Sequence, residues 1–251
     1  MNRINLSDEE WVRILANLKK LTGIHIGQPS FCRRFISACL WILRSGAQWR
    51  TLPPTHGKWN SVFKRFSRWC ANGIWEVLLS CFSEEADLQD VSMDGSVIRA
   101  HACAAGAAYS SAEDEALGRS KGGFSSKIHA ICDALGMPIK FSLTGGQEAE
   151  CRQAIPLLEN VNASAVLADK AYDTNELREW LTIRGIKAVI PPKSNRKEAI
   201  ECDYWHYKER HAIECMFGKL KYYRRIATRY DKKAINYMGM PSFASTLLWL
   251  R

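Results

Sequence analysis

Along the first third of the chain, apolar residues recur every three or four positions, the period of helices packed on one face. EEWVRILANLKKL is one such run, and Ser7 with Glu10 three residues on makes a capping box ahead of it. FCRRFISACLWILRSG is a second, with Pro29 suited to its first turn and Gly46 to its end. KWNSVFKRFSRWCANG predicts a third helix, closed at Asn72-Gly73, and IWEVLLSCF a fourth. Beyond residue 90 the period shortens. Lys127 to Cys132 and Met137 to Leu143 predict two strands of a hairpin turning at Asp133–Gly136. A loop, TGGQEAE, then leads into a helix, CRQAIPLLENV. SAVLAD predicts a short strand and IKAVIPP another. Between them runs the helix NELREWLTIRG, with Asp173 as its N-cap and Gly185 at its end.

VSMDGSVIRAH admits two readings. Asp94-Gly95 between β-formers is a strong hairpin-turn signal. The same residues also suit a continuous strand with Asp94 displayed on one face. Residues 102–123 are small and polar and predict a loop. Within it Arg119 and Lys121 suit either phosphate contact or an ordinary connection. The polar, acidic stretch SEEADLQD divides a helical unit, residues 1–85, from an α/β unit, residues 86–251.

The last amphipathic run, YKERHAIECMFGKLK, holds the densest chemistry. Wound as one helix, it brings Tyr207, Arg210, Glu214 and Lys221 within an arc of roughly 60°, beside an apolar stripe of Ile213, Met216, Phe217 and Leu220. A solvated helix with an Arg210–Glu214 ion pair explains the stripe equally, although base before acid is the weaker order for such a pair.

Charge sharpens the picture. The net charge is +9, with 35 basic and 26 acidic side chains. Residues 1–85 carry 12 basic and 6 acidic groups, residues 86–192 carry 10 and 14, and residues 193–251 carry 13 and 6. Basic ends suit a polyanionic partner, and an acidic middle suits carboxylates that hold metal. On the third helix Lys64, Arg65 and Arg68 suit phosphate contacts, although a plain bundle with its bases in water fits as well. The nine cysteines include no Cys-x2-Cys pair, and His101 with Cys103 lacks a second pair, so reduced thiols are expected rather than a zinc site. No run is long and apolar enough to span a membrane, and no secretion signal opens the chain, so a cytoplasmic protein is expected.

The spacing Tyr207-x2-Arg210-x3-Glu214-x6-Lys221 resembles that of insertion-sequence DDE transposases, and the tail RRIATRYDK resembles their group-five family. Asp94 followed by Val-Ile-Arg-Ala-His, and Asp169 at the end of SAVLAD, resemble the first two acids of that family, although Gly95 stands where relatives more often have Ser. The resemblance implies an α/β fold: an RNase H-like mixed sheet flanked by helices, preceded by a small all-α domain of helix-turn-helix type. It implies Asp94, Asp169 and Glu214 as catalytic and metal-binding residues. Two Mg²⁺ ions, with Mn²⁺ as substitute, would lie roughly 3.5–4 Å apart for in-line displacement at phosphorus. Tyr207, Arg210 and Lys221 would handle the DNA end. The implied partner is double-stranded DNA, both the terminal inverted repeats of the element and the target, bound by a homodimer in the bacterial nucleoid. Two other functions fit the same acids: an RNase H-like nuclease or resolvase without strand transfer, and a catalytically silent DNA-binding descendant.

Overall fold

The computed structural model describes residues 6–120, 122–197 and 200–251. Helix α1, Asp8–Lys20, starts at the expected capping box. Glu10 N donates to Ser7 Oγ at 3.1 Å, and Ser7 N donates to the Glu10 carboxylate at 2.9 Å. Helix α2, Pro29–Ser45, opens on Pro29 and stops at Gly46, whose φ of 69° is the left-handed geometry that glycine adopts without strain. Helices α3, Trp59–Ala71, and α4, Ile74–Phe82, are joined at Asn72-Gly73. Exposed Lys64 and Arg68 lie on α3. Helix α4 carries no base and buries Ile74, Trp75, Leu78, Leu79 and Phe82.

Strand β1 runs unbroken from Asp90 to Ala100. Asp94 pairs with Ala130 in mid-strand, so the Asp-Gly pair makes no turn. The antiparallel register with the next long strand satisfies this backbone from Ser92 to Arg99, which outweighs the local turn preference. The short β2, Gly118–Ser120, interrupts the expected loop. It is followed by β3, Gly123–Cys132, and β4, Pro138–Gly145, the expected hairpin. The helix predicted from CRQAIPLLENV shrinks to a 3-10 turn and α5, Ala154–Leu158, with Pro156 in its first turn. Then come β5, Ala165–Leu167; α6, Asn175–Ile183; and β6, Lys187–Val189. Strands β1, β5 and β6 are parallel neighbours and β1, β3 and β4 antiparallel ones. The resulting order, β4-β3-β1-β5-β6, is that of an RNase H-like mixed sheet.

The final helical run is broken. Helix α7, Tyr204–Tyr207, passes through a 3-10 turn at Lys208–Arg210 into α8, His211–Lys221. Helix α9, Arg224–Ala227, leads to β7, Thr228–Arg229, which adds to β1 beyond the reach of β5. Helix α10, Ala234–Trp249, is apolar on all sides and buried, as suits a helix with neighbours all round.

Two cores sandwich the sheet. On one face Ile98, Ile128, Ala130 and Cys132 pack with α8, α10 and the four N-terminal helices. On the other, Val91, Met93 and Ile131 pack with α5 and α6. The first core runs continuously from the helical unit to the sheet, and α10 is its hub. Gly239 permits that contact: a Cβ there would lie 2.6 Å from Cys70 Sγ and 2.9 Å from Trp75 Cδ1. Among the described residues no helix is long and apolar enough to cross a membrane.

Candidate active site

Strand β1 pairs with β5 only through Ser92 and meets β7 only from Arg99, so its edge between them carries no ladder partner. Asp94 sits on that free edge. Asp169 follows β5 by two residues, at its carboxyl end, where ligand sites of α/β sheets gather. Topology thus brings together two acids 75 positions apart in the chain. A third comes from the start of the 3-10 turn after β4: single carboxylate oxygens of Asp94, Glu150 and Asp169 all lie within 4.8 Å of one another. All three residues are partly exposed.

Each carboxylate is oriented. Asp94 Oδ1 accepts from Gly95 N at 2.7 Å, and its Oδ2 accepts from Arg210 Nη1 at 3.2 Å. Asp169 Oδ1 accepts from Ala171 N at 2.7 Å, capping a 3-10 turn. Glu150 Oε1 pairs with Lys127 Nζ at 3.1 Å, and the same ammonium donates to the Glu148 carbonyl at 2.9 Å. Burial pushes the Asp94 carboxyl above its ordinary range. The Gly95 amide and Arg210 oppose the rise, while Glu150 and Asp169 add to it. A carboxyl so placed gains from a cation. Three hard oxygen donors at one point are the donor set that divalent Mg²⁺ or Mn²⁺ takes, so the residues fit such an ion.

Glu214 is not one of the three. Its carboxylate is held by Arg210, whose other guanidinium nitrogen is the one on Asp94. Arg210 therefore links Glu214 to the cluster, and half of the Glu214 side chain is exposed at 49%. The physical reason is charge: a fourth acid beside three others is disfavoured, and Arg210 bridges Glu214 to Asp94 with one shared positive charge. Burial disfavours the Arg210 charge, and Tyr207, Asp94 and Glu214 more than restore it.

The other expected site residues divide. Tyr207 lies against Ala165, Leu167 and Val189, with Arg210 over its ring at 5.6 Å, so one ring face is already covered. Lys221 is exposed in the last turn of α8. Arg119 is exposed, its guanidinium 5.0 Å from the centre of the Phe124 ring. Lys121 lies outside the described residues. Lys64 and Arg68 face solvent. Arg65 does not: it donates to the Ile26 carbonyl at 2.9 Å and stacks on Phe35 at 4.4 Å and Trp69 at 5.2 Å. Its position beside two aromatic rings turns it inward.

Asp173 is structural, as expected, but not as a cap. Thr174 caps α6, its Oγ1 accepting from Leu177 N at 3.2 Å. The Asp173 carboxylate instead accepts from Arg178, from Arg196 and from Lys193 N. Burial alone would raise its pKa, but these donors outweigh it and hold the carboxyl well below the usual range.

Sequence reasoning passed over Glu150. It opens the 3-10 turn Glu150–Gln153, two residues after Glu148, and no spacing marks one acid above the other. The usable signal was Gly95, the departure from the family pattern. A Cβ on Gly95 would lie 3.0 Å from both Cγ and Cδ of Glu150, so the missing side chain makes room for the acid.

With this geometry in hand, comparison with known proteins gives a consistent answer. The family described as "Transposase DDE domain" matches residues 85–240, and "Putative transposase of IS4/5 family" matches residues 6–79. Among curated proteins, a "Putative transposase for insertion sequence element IS6501" of Brucella ovis is 41% identical over 128 residues, covering 50% of this chain and 98% of that protein. The corresponding protein for element IS402 of Burkholderia cepacia is 29% identical over 121 residues, 43% of this chain and 55% of that one. The solved structures found include a Mos1 transposase paired-end complex with the left transposon end, at 12% identity and TM-score 0.28, covering 86% of this chain and 97% of that chain. A pre-cleavage Mos1 transpososome matches at 12% identity and TM-score 0.30, covering 98% and 97%. Structural likeness that loose carries no weight for this chain.

Proposed function

We propose that this chain, which belongs to the transposase DDE-domain family, binds the ends of its own insertion sequence, cuts there and joins the freed 3′-hydroxyls to target DNA. That it is an insertion-sequence DDE transposase follows from the family match over residues 85–240 and from the Brucella relative. The observation that carries the catalytic reading is the meeting of Asp94 and Asp169 at the carboxyl end of β5, beside a stretch of β1 that has no ladder partner. The group-five assignment rests on Tyr207-x2-Arg210-x3-Glu214-x6-Lys221 and on the tail RRIATRYDK.

Family membership implies divalent metal, and Mg²⁺ is the proposed ion, with Mn²⁺ able to replace it. Bound there, such ions supply an activated hydroxyl nucleophile and steady the leaving oxygen. The side chains do the rest. Asp94 and Asp169 hold the cation from two fixed backbone elements. Arg210 offers a planar fork that a DNA phosphate can take over from Asp94 and Glu214. Once released, Glu214 is within reach of the cluster as its catalytic partner. Lys221 presents a point charge to the strand beyond. Lys64 and Arg68 on α3, together with Arg119, extend the basic surface along double-stranded DNA, and residues 1–85 form the unit that grips the element ends. Two ends must be brought together, so a homodimer on DNA, acting at the bacterial nucleoid, is the proposed working form.

The test is a strand-transfer reaction with Mg²⁺ and a duplex carrying the element's terminal inverted repeats. Joined end–target products are expected. Cleavage without any joining would identify a nuclease or resolvase instead.

A further inference from the structure

No step of the proposed reaction uses Glu150. We propose that Glu150 is a cation ligand in this chain, assembled with Asp94 and Asp169 before DNA arrives, while Glu214 is still held by Arg210. This rests on the metal-dependent reading just given.

Four observations converge. The oxygens of Asp94, Glu150 and Asp169 already lie within 4.8 Å of one another, a spacing a single bound cation can span. The room for Glu150 is made by Gly95, on the opposite face of β1 from Asp94. Its φ is unremarkable, so space and not backbone freedom explains the glycine. The Tyr172 hydroxyl, fully buried three residues after Asp169, has no hydrogen-bond partner among the described residues, and burial, followed by the charges of Glu150, Asp94 and Asp169, pushes its pKa up. A buried hydroxyl left open beside three carboxylates fits a site whose polar occupant, an ion with its water shell, supplies the missing partner. Finally, the charges do not balance. Lys127 and Arg210 oppose Asp94, Glu150, Asp169 and Glu214, which leaves an excess of two negative charges, the amount one divalent ion cancels. His129, on the strand face of Gly95, does not add a charge. Burial and Lys127 hold its pKa down at about 4, and its Nε2 is 2.7 Å from Thr144 Oγ1.

The alternative is that Glu150 merely anchors Lys127. The two roles predict opposite signs for one substitution. If Glu150 binds the cation, Lys127 competes with it, and Lys127→Met leaves affinity unchanged or improves it. If Glu150 serves only to place Lys127, both Lys127→Met and Glu150→Gln disturb the site alike.

The experiment titrates Mn²⁺ into the full, DNA-free chain and follows it by electron paramagnetic resonance, with thermal unfolding as the folding control. Glu150→Gln is expected to weaken Mn²⁺ binding about tenfold or more, as Asp169→Asn does. Glu214→Gln is expected to stay within about twofold of the parent, since that acid is engaged by Arg210. Gly95→Ser, which displaces the Glu150 stem, is expected to weaken binding in the direction of Glu150→Gln. Parental Mn²⁺ affinity in a folded Glu150→Gln protein would overturn the proposal, and so would a loss in Lys127→Met equal to that in Glu150→Gln. Because no DNA is present, these outcomes are independent of whether the parent protein joins DNA ends.

Discussion

Arg210 is the residue on which the resting site turns. One guanidinium spans Asp94 on β1 and Glu214 on α8, so two acids of different elements share one counter-charge. Asp173 shows the same chemistry used for stability. Its side chain is fully buried between Arg178 and Arg196, at 2.7 Å from each. Removing one partner of such a group strands the others, at a cost of about 3–5 kcal/mol. Asp173→Asn is therefore expected to lower unfolding free energy by about 3 kcal/mol at pH 7, measured by urea denaturation. The sign with pH follows from its depressed carboxyl pKa. The contribution is complete above the unfolded value of about 4 and is lost as pH falls through the folded one, so parent and variant should converge on acidification. A gap that stayed constant down to unfolding in acid would contradict this assignment.

Elements position these residues by pairing and close approach. Strand β1 is the longest strand, yet its middle lacks a ladder partner on one side, and the three carboxylates meet beside that gap. Helix α10 locks the helical unit to the sheet through Gly239. Adding a methyl there forces atoms into contact at 2.6 Å and 2.9 Å, so Gly239→Ala is expected to destabilise by about 1–3 kcal/mol, read as a shift in urea midpoint with an unchanged slope. Much at this scale was legible from pattern. The capping box of α1, the Gly46 stop of α2, the β3–β4 hairpin and the strand preceding Asp169 all follow from local rules. What local rules missed had non-local causes. Asp94-Gly95 favours a turn in isolation and becomes strand because β3 offers eight paired positions from Ser92 to Arg99. The single helix drawn from Tyr207 to Lys221 breaks at Lys208–Arg210, where the Tyr207 ring turns down onto Ala165, Leu167 and Val189. Glu150 and the inward turn of Arg65 depend on which loop and which rings lie nearby, and no spacing within one segment encodes that.

In the whole molecule, acidic centre and basic ends take on a spatial sense. The carboxylates gather beside β1 at the carboxyl end of β5, in mid-sheet, while Lys64, Arg68, Arg119 and Lys221 face solvent on other elements. Not every base contributes to that surface. Arg225 pairs with Asp231 at 2.9 Å and donates to the Ala47 carbonyl, and Arg229 is spent on the Ala116, Asp231 and Lys232 carbonyls and on Ser126 Oγ. The RRIATRYDK tail thereby ties the helical unit, the 102–117 loop and the sheet into one body. The central claim is that Asp94 and Asp169, joined by this topology, hold the ion that cuts DNA. Its most direct test is Mg²⁺-dependent cleavage of a duplex bearing the element ends by Asp169→Asn, with end binding followed in parallel. Cleavage is expected to fall roughly a thousandfold or more while end binding is retained. Cleavage at the parental rate by the folded, DNA-bound variant would contradict it.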